Sequence, residues 1–130
     1  MRFYPFLVTF VTILSCTFLS SCQDHQNKSK RLDALTLMSG KGECLACHSL
    51  DGKKNVGPTL KGVFNRKVKV YHQGKAQIQM ITADEEYLRR SILEPQAEVV
   101  SGYPNIMKSY KNVLSKKEIE TIIQYLKELK

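Results

Sequence analysis

Two cysteines lie three positions apart and are followed directly by a histidine: Cys44, Cys47 and His48. A C-x-x-C-H run is the attachment signature of a c-type haem. Thiols at positions i and i+3 lie on one side of a helical turn, from which both can form thioether bonds to vinyl groups on one haem edge. The histidine then falls beneath the ring, where its imidazole can bind the iron. The motif therefore predicts one covalently bound haem c.

Three other interpretations of this run are weaker. A C-x-x-C redox pair would need a thioredoxin-like βαβ setting, which the sequence does not indicate. A zinc site would need a second Cys/His pair, and the remaining histidines, His25 and His72, are isolated. A short-range disulfide would not explain the adjacent histidine. The other two cysteines, Cys16 and Cys22, lie near the N-terminus, so none is left over for a structural disulfide.

Length and charge limit the class of protein. The chain has 130 residues and a formal charge of +8, so one domain with a small core is expected. A haem would enlarge that core, because side chains can pack around its apolar plate. The basic charge predicts acidic partners or an anionic membrane face. Nucleic acid is not expected, since the lysines are scattered and no groove-reading motif accompanies them.

Residues 1–21 are predicted to be a secretory signal. Arg2 supplies a weakly positive N-terminal region, and residues 6–18 are mostly apolar. A transmembrane helix is the alternative, but the uncharged run is shorter than the roughly 20 residues that a span requires. Residues 19–22 (Leu-Ser-Ser-Cys) resemble a bacterial lipobox, which implies a lipid on Cys22. Cleavage at an ordinary small-residue site, without a lipid, stays open.

A polar segment separates this leader from the domain. Residues 22–30 show no apolar periodicity and are predicted to be a flexible tether. Residues 31–130 would form the domain. We therefore expect an extracytoplasmic protein, in the periplasm or on the outer face of the cytoplasmic membrane, held by its lipid.

Two helices are predicted at the ends of the domain. The first covers residues 31–39 and ends at Gly40. The second follows a capping box formed by Ser115 and Glu118. Its apolar stripe has the spacing i, i+3, i+4, i+7 and is the clearest in the chain. The stripe residues are Leu32, Ala34, Leu35, Leu37 and Met38 in the first helix, and Ile119, Ile122, Ile123, Leu126 and Leu129 in the second.

The middle of the domain shows two patterns. A capping box over residues 82–85 begins a helix that continues to about Leu93 and ends before Pro95. Before it, apolar residues alternate with polar ones around positions 68–70 and 78–80. This period of two predicts short extended segments along the haem edge.

Four runs carry a resemblance to a known family: residues 44–52, 56–62, 83–95 and 102–110. Over about residues 31–129 the chain resembles a class I cytochrome c. More narrowly, it is similar to the cytochrome c domain of bacterial cytochrome c oxidase subunit II. The resemblance implies an all-α fold, with about four helices around one covalent haem. The cupredoxin domain and membrane helices of that subunit are not in this sequence, so we expect a free-standing relative.

The resemblance also implies the iron ligands. His48 would be the proximal ligand, oriented by the carbonyl of Pro58, and Met107 the distal ligand. The residues agree with this, because a ligating histidine usually donates its second N–H to a carbonyl. A Met/His pair raises the haem potential. Met80 is a competing methionine that chain reach does not exclude. Lys108 stands where the family predicts proline, which would loosen the loop after Met107.

Two further residues are predicted to contact the haem. The resemblance implies that Arg66 lies near a propionate, and Tyr71 is a second candidate for such a contact. Both could instead be surface residues of a long loop.

These features predict a carrier of single electrons in a respiratory chain, with no substrate and no catalytic residue. Its partners would be redox proteins with acidic docking surfaces, together with the membrane that holds the lipid. Two alternatives stay open. One is a haem enzyme or gas sensor with an open sixth site on the iron. The other is a dedicated subunit of an oxidase or dehydrogenase complex.

Overall fold

A computed structural model describes residues 17–74 and 77–130, except for the side chains of residues 17–23. The signal-peptide prediction and the lipid predicted on Cys22 concern groups outside this description. The described residues form four helices and three strands. They are α1 (Thr17–Ser39), α2 (Cys44–Cys47), β1 (Lys67–His72), β2 (Ile78–Thr82), α3 (Glu85–Leu93), β3 (Glu98–Val100) and α4 (Lys116–Glu128). The predicted fold of about four helices is confirmed, and it is mostly helical rather than all-α because a small sheet accompanies the helices.

The polar segment before the domain is helical rather than flexible. The chain divides into two units, Met1–Leu32 and Asp33–Lys130. In the first unit residues 24–32 are helical and exposed to solvent. Residues 23–30 contain neither glycine nor proline, so no residue there breaks the helix. The expectation of an unstructured linker was therefore wrong for this stretch. None of the helices described is long and apolar enough to cross a membrane.

The buried side of α1 is narrower than the predicted stripe. Ala34 and Met38 are fully buried, one helical turn apart, and Leu35 and Leu37 pack at the edge of the same core. Leu32 is 65 % exposed, so its predicted place in the core was wrong. The fully buried positions of the helix are thus Ala34 and Met38, which lie four residues apart on one side of it.

The two extended segments predicted in the middle of the chain form a hairpin. β1 pairs antiparallel with β2, with Val68 opposite Ile81. β3 pairs on the other side of β1 and gives the order β2-β1-β3. Val68 and Val70 point into the core. β3 was not predicted, because three residues are too few to show a period of two.

The helix starts show one correct and one wrong prediction. Ser115 and Glu118 form the expected capping box of α4, with both hydrogen bonds present. α3 begins two residues later than predicted, because Asp84 is the N-cap and accepts from the N–H of Tyr87 at 2.8 Å. Thr82 cannot cap this helix, since it is the last residue of β2. The α4 stripe is buried as predicted, with Leu129 partly buried at its end.

An ion pair joins the loop after α1 to the start of α4. Lys41 Nζ lies 2.8 Å from Glu118 Oε2. This contact, with the hydrogen bonds to Ser115, lowers the pKa of Glu118 to about 2. A carboxylate whose pKa is lowered by folding stabilises the folded state above its unfolded pKa, and that stability is lost as pH falls through the folded value.

We therefore expect Glu118→Gln to flatten the acid dependence of stability. In the wild type, the free energy of unfolding should fall as the pH drops from about 5 towards 2. The variant should lose less over the same interval, because it has no carboxylate to protonate. Urea unfolding of the holoprotein at several pH values measures this difference. Glu94→Gln, the same change at another exposed position, is the control, and an equal flattening there would contradict the assignment.

Candidate haem site

α2 is a single helical turn that presents both motif cysteines. The N–H of His48 donates to the carbonyl of Cys44 at 2.9 Å and closes the turn. Glu43, immediately before α2, has a left-handed backbone with φ of 49°. Cys44 and Cys47 are half-buried free thiols. The turn therefore holds two thiols and one imidazole together, as the motif predicts.

The other interpretations of the motif gain no support from the structure. Cys44 and Cys47 are not joined in a disulfide. Burial raises the pKa of the Cys44 thiol, whereas a redox-active C-x-x-C pair needs a lowered one. Among the described side chains, those of residues 24–74 and 77–130, no three His, Cys, Asp or Glu are grouped so that they could hold a metal ion. The raised pKa of Cys44 is thus unfavourable for thiol exchange.

His48 makes the hydrogen bond that was expected of a haem ligand. Its Nδ1 lies 2.7 Å from the carbonyl oxygen of Pro58. Since a carbonyl can only accept, Nδ1 must carry the proton and donate it. In the neutral imidazole the lone pair is then on Nε2. This is the nitrogen that would bind an iron.

Backbone hydrogen bonds hold Pro58 in place from both sides. The N–H of Gly57 donates to the carbonyl of Cys47 at 2.8 Å, and the N–H of Leu60 donates to that of Ser49 at 2.8 Å. Cys47 and Ser49 lie on either side of His48, and Gly57 and Leu60 lie on either side of Pro58. The proline carbonyl is therefore aimed at the imidazole by the backbone itself.

Gly57 is a site residue that the sequence analysis did not identify. A Cβ atom at this position would lie 2.6 Å from Cε1 and 2.8 Å from Nδ1 of His48. Glycine is therefore required because the backbone packs directly against the imidazole. The Gly-Pro pair was a signal for a turn, but one sequence cannot tell that a ring lies against that turn.

An apolar cavity brings the two candidate iron ligands together. His48 and Met107 both line it, although they lie on different segments of the chain. The other lining residues are Met38, Cys44, Leu60, Ile92, Tyr110, Leu114, Ile122 and Leu126. Two methionines, Met38 and Met107, therefore line the cavity, whereas Met80 does not and is 58 % exposed on β2. These residues fit a haem, because thiol, imidazole and thioether groups converge on one apolar space.

The loop that carries Met107 is fixed on both sides of the methionine. Lys108 Nζ forms an ion pair with Glu43, next to the haem-attachment turn. The N–H of Tyr110 donates to the carbonyl of Ile92 at 3.1 Å. Lys108 was predicted to loosen this loop by replacing proline. Its side chain instead ties the loop to the residue before Cys44.

Arg66 and Tyr71 are not brought to the cavity. Arg66 donates from Nη2 to the carbonyl of Thr59 at 2.8 Å and from Nη1 to that of Lys61 at 3.3 Å. Tyr71 is 37 % exposed, and its hydroxyl accepts from Ser101 at 3.2 Å. Propionate contacts by these two residues stay predictions. The observed role of Arg66 is to hold the carbonyls just after Pro58.

Replacing Gly57 with alanine should displace the imidazole of His48. Overpacking of this kind costs about 1–3 kcal/mol of stability. The lost orientation of His48 should also change the absorption spectrum and midpoint potential of the haem, because the hydrogen bond to Pro58 tunes the ligand. Redox titration followed by visible spectroscopy measures both effects.

Gly102→Ala is the control for this substitution. Gly102 has φ of +86°, and a Cβ there would meet nothing within 4 Å. Alanine at this position should reduce stability through backbone strain and leave the haem spectrum unchanged. A Gly57→Ala holoprotein with an unchanged spectrum and potential would contradict the proposed packing against His48.

Known proteins are similar to this chain over most of the predicted domain. The profile of the cytochrome c family matches residues 36–130. Among similar proteins, cytochrome c2 iso-1 of Magnetospirillum fulvum is 31 % identical over 93 residues, which cover 68 % of this chain and 92 % of that protein. Cytochrome c2 iso-2 of Magnetospirillum molischianum is 35 % identical over 92 residues, which cover 67 % of this chain and 91 % of that protein.

Proposed function

Since this chain belongs to the cytochrome c family, we propose that it is an electron carrier with a single covalently bound haem. The observation that carries the proposal is the apolar cavity shared by His48 and Met107. Cys44 and Cys47 would hold the haem through thioether bonds, and His48 and Met107 would be its axial ligands. The bound iron would supply a one-electron couple between two valences.

The surrounding protein would keep small molecules away from the iron. Met107 would occupy the sixth position, so that small molecules cannot bind there. The apolar lining excludes water from the cavity, and Pro58 keeps the proton of His48 on Nδ1. A site with both positions filled supports a carrier rather than an enzyme. A haem enzyme or gas sensor is the second candidate, and it would require the sixth position to be open.

We propose acidic redox proteins as partners. The formal charge of +8 favours encounter with acidic surfaces and speeds association at low ionic strength. A respiratory chain is the setting we propose. Membership of an oxidase or dehydrogenase complex is the more specific form of the same proposal, and co-purification after mild detergent extraction would identify such a complex.

We further propose that the protein is extracytoplasmic and anchored by a lipid on Cys22. The lipobox-like residues 19–22 and the apolar leader support this proposal. Several acyl chains on one residue give stable anchoring where a single chain is marginal. The helical polar segment between the lipid and the domain would act as the spacer.

Met107→Ala should open the sixth position of the iron. The reduced variant should bind carbon monoxide readily, and its midpoint potential should fall by at least roughly 0.1 V, within the range of roughly 0.8 V that axial ligands control. Met80→Ala is the matched control, because Met80 is an exposed methionine outside the cavity. It should leave both properties unchanged.

The opposite result would assign the distal ligand differently. If Met80→Ala opens the iron and Met107→Ala does not, Met80 is the ligand. If wild-type protein already binds carbon monoxide as readily as the Met107→Ala variant, the sixth site is open and the carrier proposal fails. Redox-difference spectra of the three proteins distinguish these outcomes.

Cys22→Ser should remove the lipid anchor. The wild-type protein should then appear in the membrane fraction with the added mass of acyl chains on Cys22. The variant should lack that mass and move to the soluble fraction if the leader is still cleaved. An intact mass without acyl chains in the wild type would refute the anchor and leave the electron-carrier proposal untouched.

A further inference from the structure

One face of the small sheet points away from the core. Alternate residues of a strand point to opposite sides, and Val68 and Val70 are buried. Their neighbours on β1, and the residues paired with those neighbours, therefore face outward. We call these residues the outer sheet face: Lys67, Lys69, Tyr71, Ile78, Met80, Thr82 and Val99.

The centre of the outer sheet face is apolar and exposed. Ile78 lies opposite Tyr71, and Tyr71 lies opposite Val99, so one apolar row crosses all three strands. Met80 lies beside this row on the same side of β2. Ile78 is 46 % exposed and Met80 is 58 % exposed. Contiguous apolar surface of this kind marks an interaction site more often than isolated exposed residues do.

Two lysines give the outer sheet face a positive charge. Lys67 and Lys69 lie on it beside the apolar row, and Lys69 is paired with Met80. In the three strands the only acidic residue is Glu98, which lies on the inner side, where its carboxylate pairs with Arg90 Nε at 3.2 Å. No strand residue therefore brings a carboxylate to this face. The charge selects an anionic partner.

We propose that the outer sheet face docks on an anionic lipid surface. Ile78 and Met80 would enter the boundary between headgroups and acyl chains, while Lys67 and Lys69 would pair with lipid phosphates. Protruding flexible side chains suit a lipid surface, because it accommodates them without a complementary recess. The core of a protein interface instead requires close shape complementarity.

The lipid proposed on Cys22 would strengthen this contact without being necessary for it. A domain already held at a membrane meets that membrane at a high effective concentration, so even a weak second contact would be occupied. The outer sheet face would then orient the domain. The experiment below supplies lipid in excess, and its result does not depend on whether Cys22 is acylated.

The test measures how well water-borne reagent reaches residue 80. Full-chain holoprotein carrying Met80→Cys is treated with a neutral polyethylene-glycol maleimide, and labelling of that residue is followed by peptide mass. The vesicles contain either phosphatidylcholine alone or one part phosphatidylglycerol to two parts phosphatidylcholine. Labelling should be at least about fivefold slower on the anionic vesicles, as expected for two lysines near an anionic surface.

Matched variants separate docking from general adsorption. Val113→Cys introduces a thiol at another exposed apolar position, outside the sheet, and its labelling should not slow. Adding Lys67→Glu and Lys69→Glu to the Met80→Cys protein should restore fast labelling. The same charge change at Lys111 and Lys117 should leave the protection in place. An unchanged haem spectrum shows that each variant is folded.

Three outcomes would overturn the proposal. Equal labelling of residue 80 on neutral and anionic vesicles would exclude lipid docking and make a protein the partner of this face. Equal slowing at residue 113 would indicate adsorption without orientation. Protection that survives the reversal of Lys67 and Lys69 would show that these lysines do not recognise the headgroups.

Discussion

The hydrogen bond from His48 Nδ1 to the Pro58 carbonyl is the contact on which the site depends. It determines the tautomer of the imidazole and leaves the Nε2 lone pair available for the iron that His48 is proposed to bind. The backbone secures this contact, because residues on both sides of Pro58 are bonded to residues on both sides of His48. Gly57 then closes against the ring, and Arg66 holds the next carbonyls. The orientation of His48 is thus supported mainly by main-chain groups.

The loop that carries Met107 is held in a different way. Met107 lies in a loop without helix or strand, and its position depends on contacts that the neighbouring residues make with other segments. Tyr110 is bonded to the end of α3, and Lys108 pairs with Glu43 beside the attachment turn. The exposed ion pair is the weaker of these supports, since surface salt bridges contribute little. The position of Met107 therefore rests on fewer main-chain contacts than that of His48.

Elements that depend only on neighbouring residues were predicted well. Elements whose ends depend on pairing with a distant strand were not. The α4 stripe and its capping box need only neighbouring residues, and both were confirmed. Thr82 has the right type for an N-cap, but its pairing with Lys67 in the sheet takes it out of the helix start. The three residues of β3 carry no period of their own. They form a strand only because β1 offers an unpaired edge.

The groups available for haem attachment can be read from the chain alone. Cys44, Cys47 and His48 are neighbours in the chain, so their spacing places them on one turn whatever the rest of the protein does. Of the two methionines downstream of the motif, Met80 and Met107, the fold places one in the cavity that His48 lines. Met80 and Met107 are both far enough along the chain to reach the iron, and both are equally good thioethers. Only the packing of the strands and of the loop that carries Met107 exposes Met80 to solvent and places Met107 in the cavity.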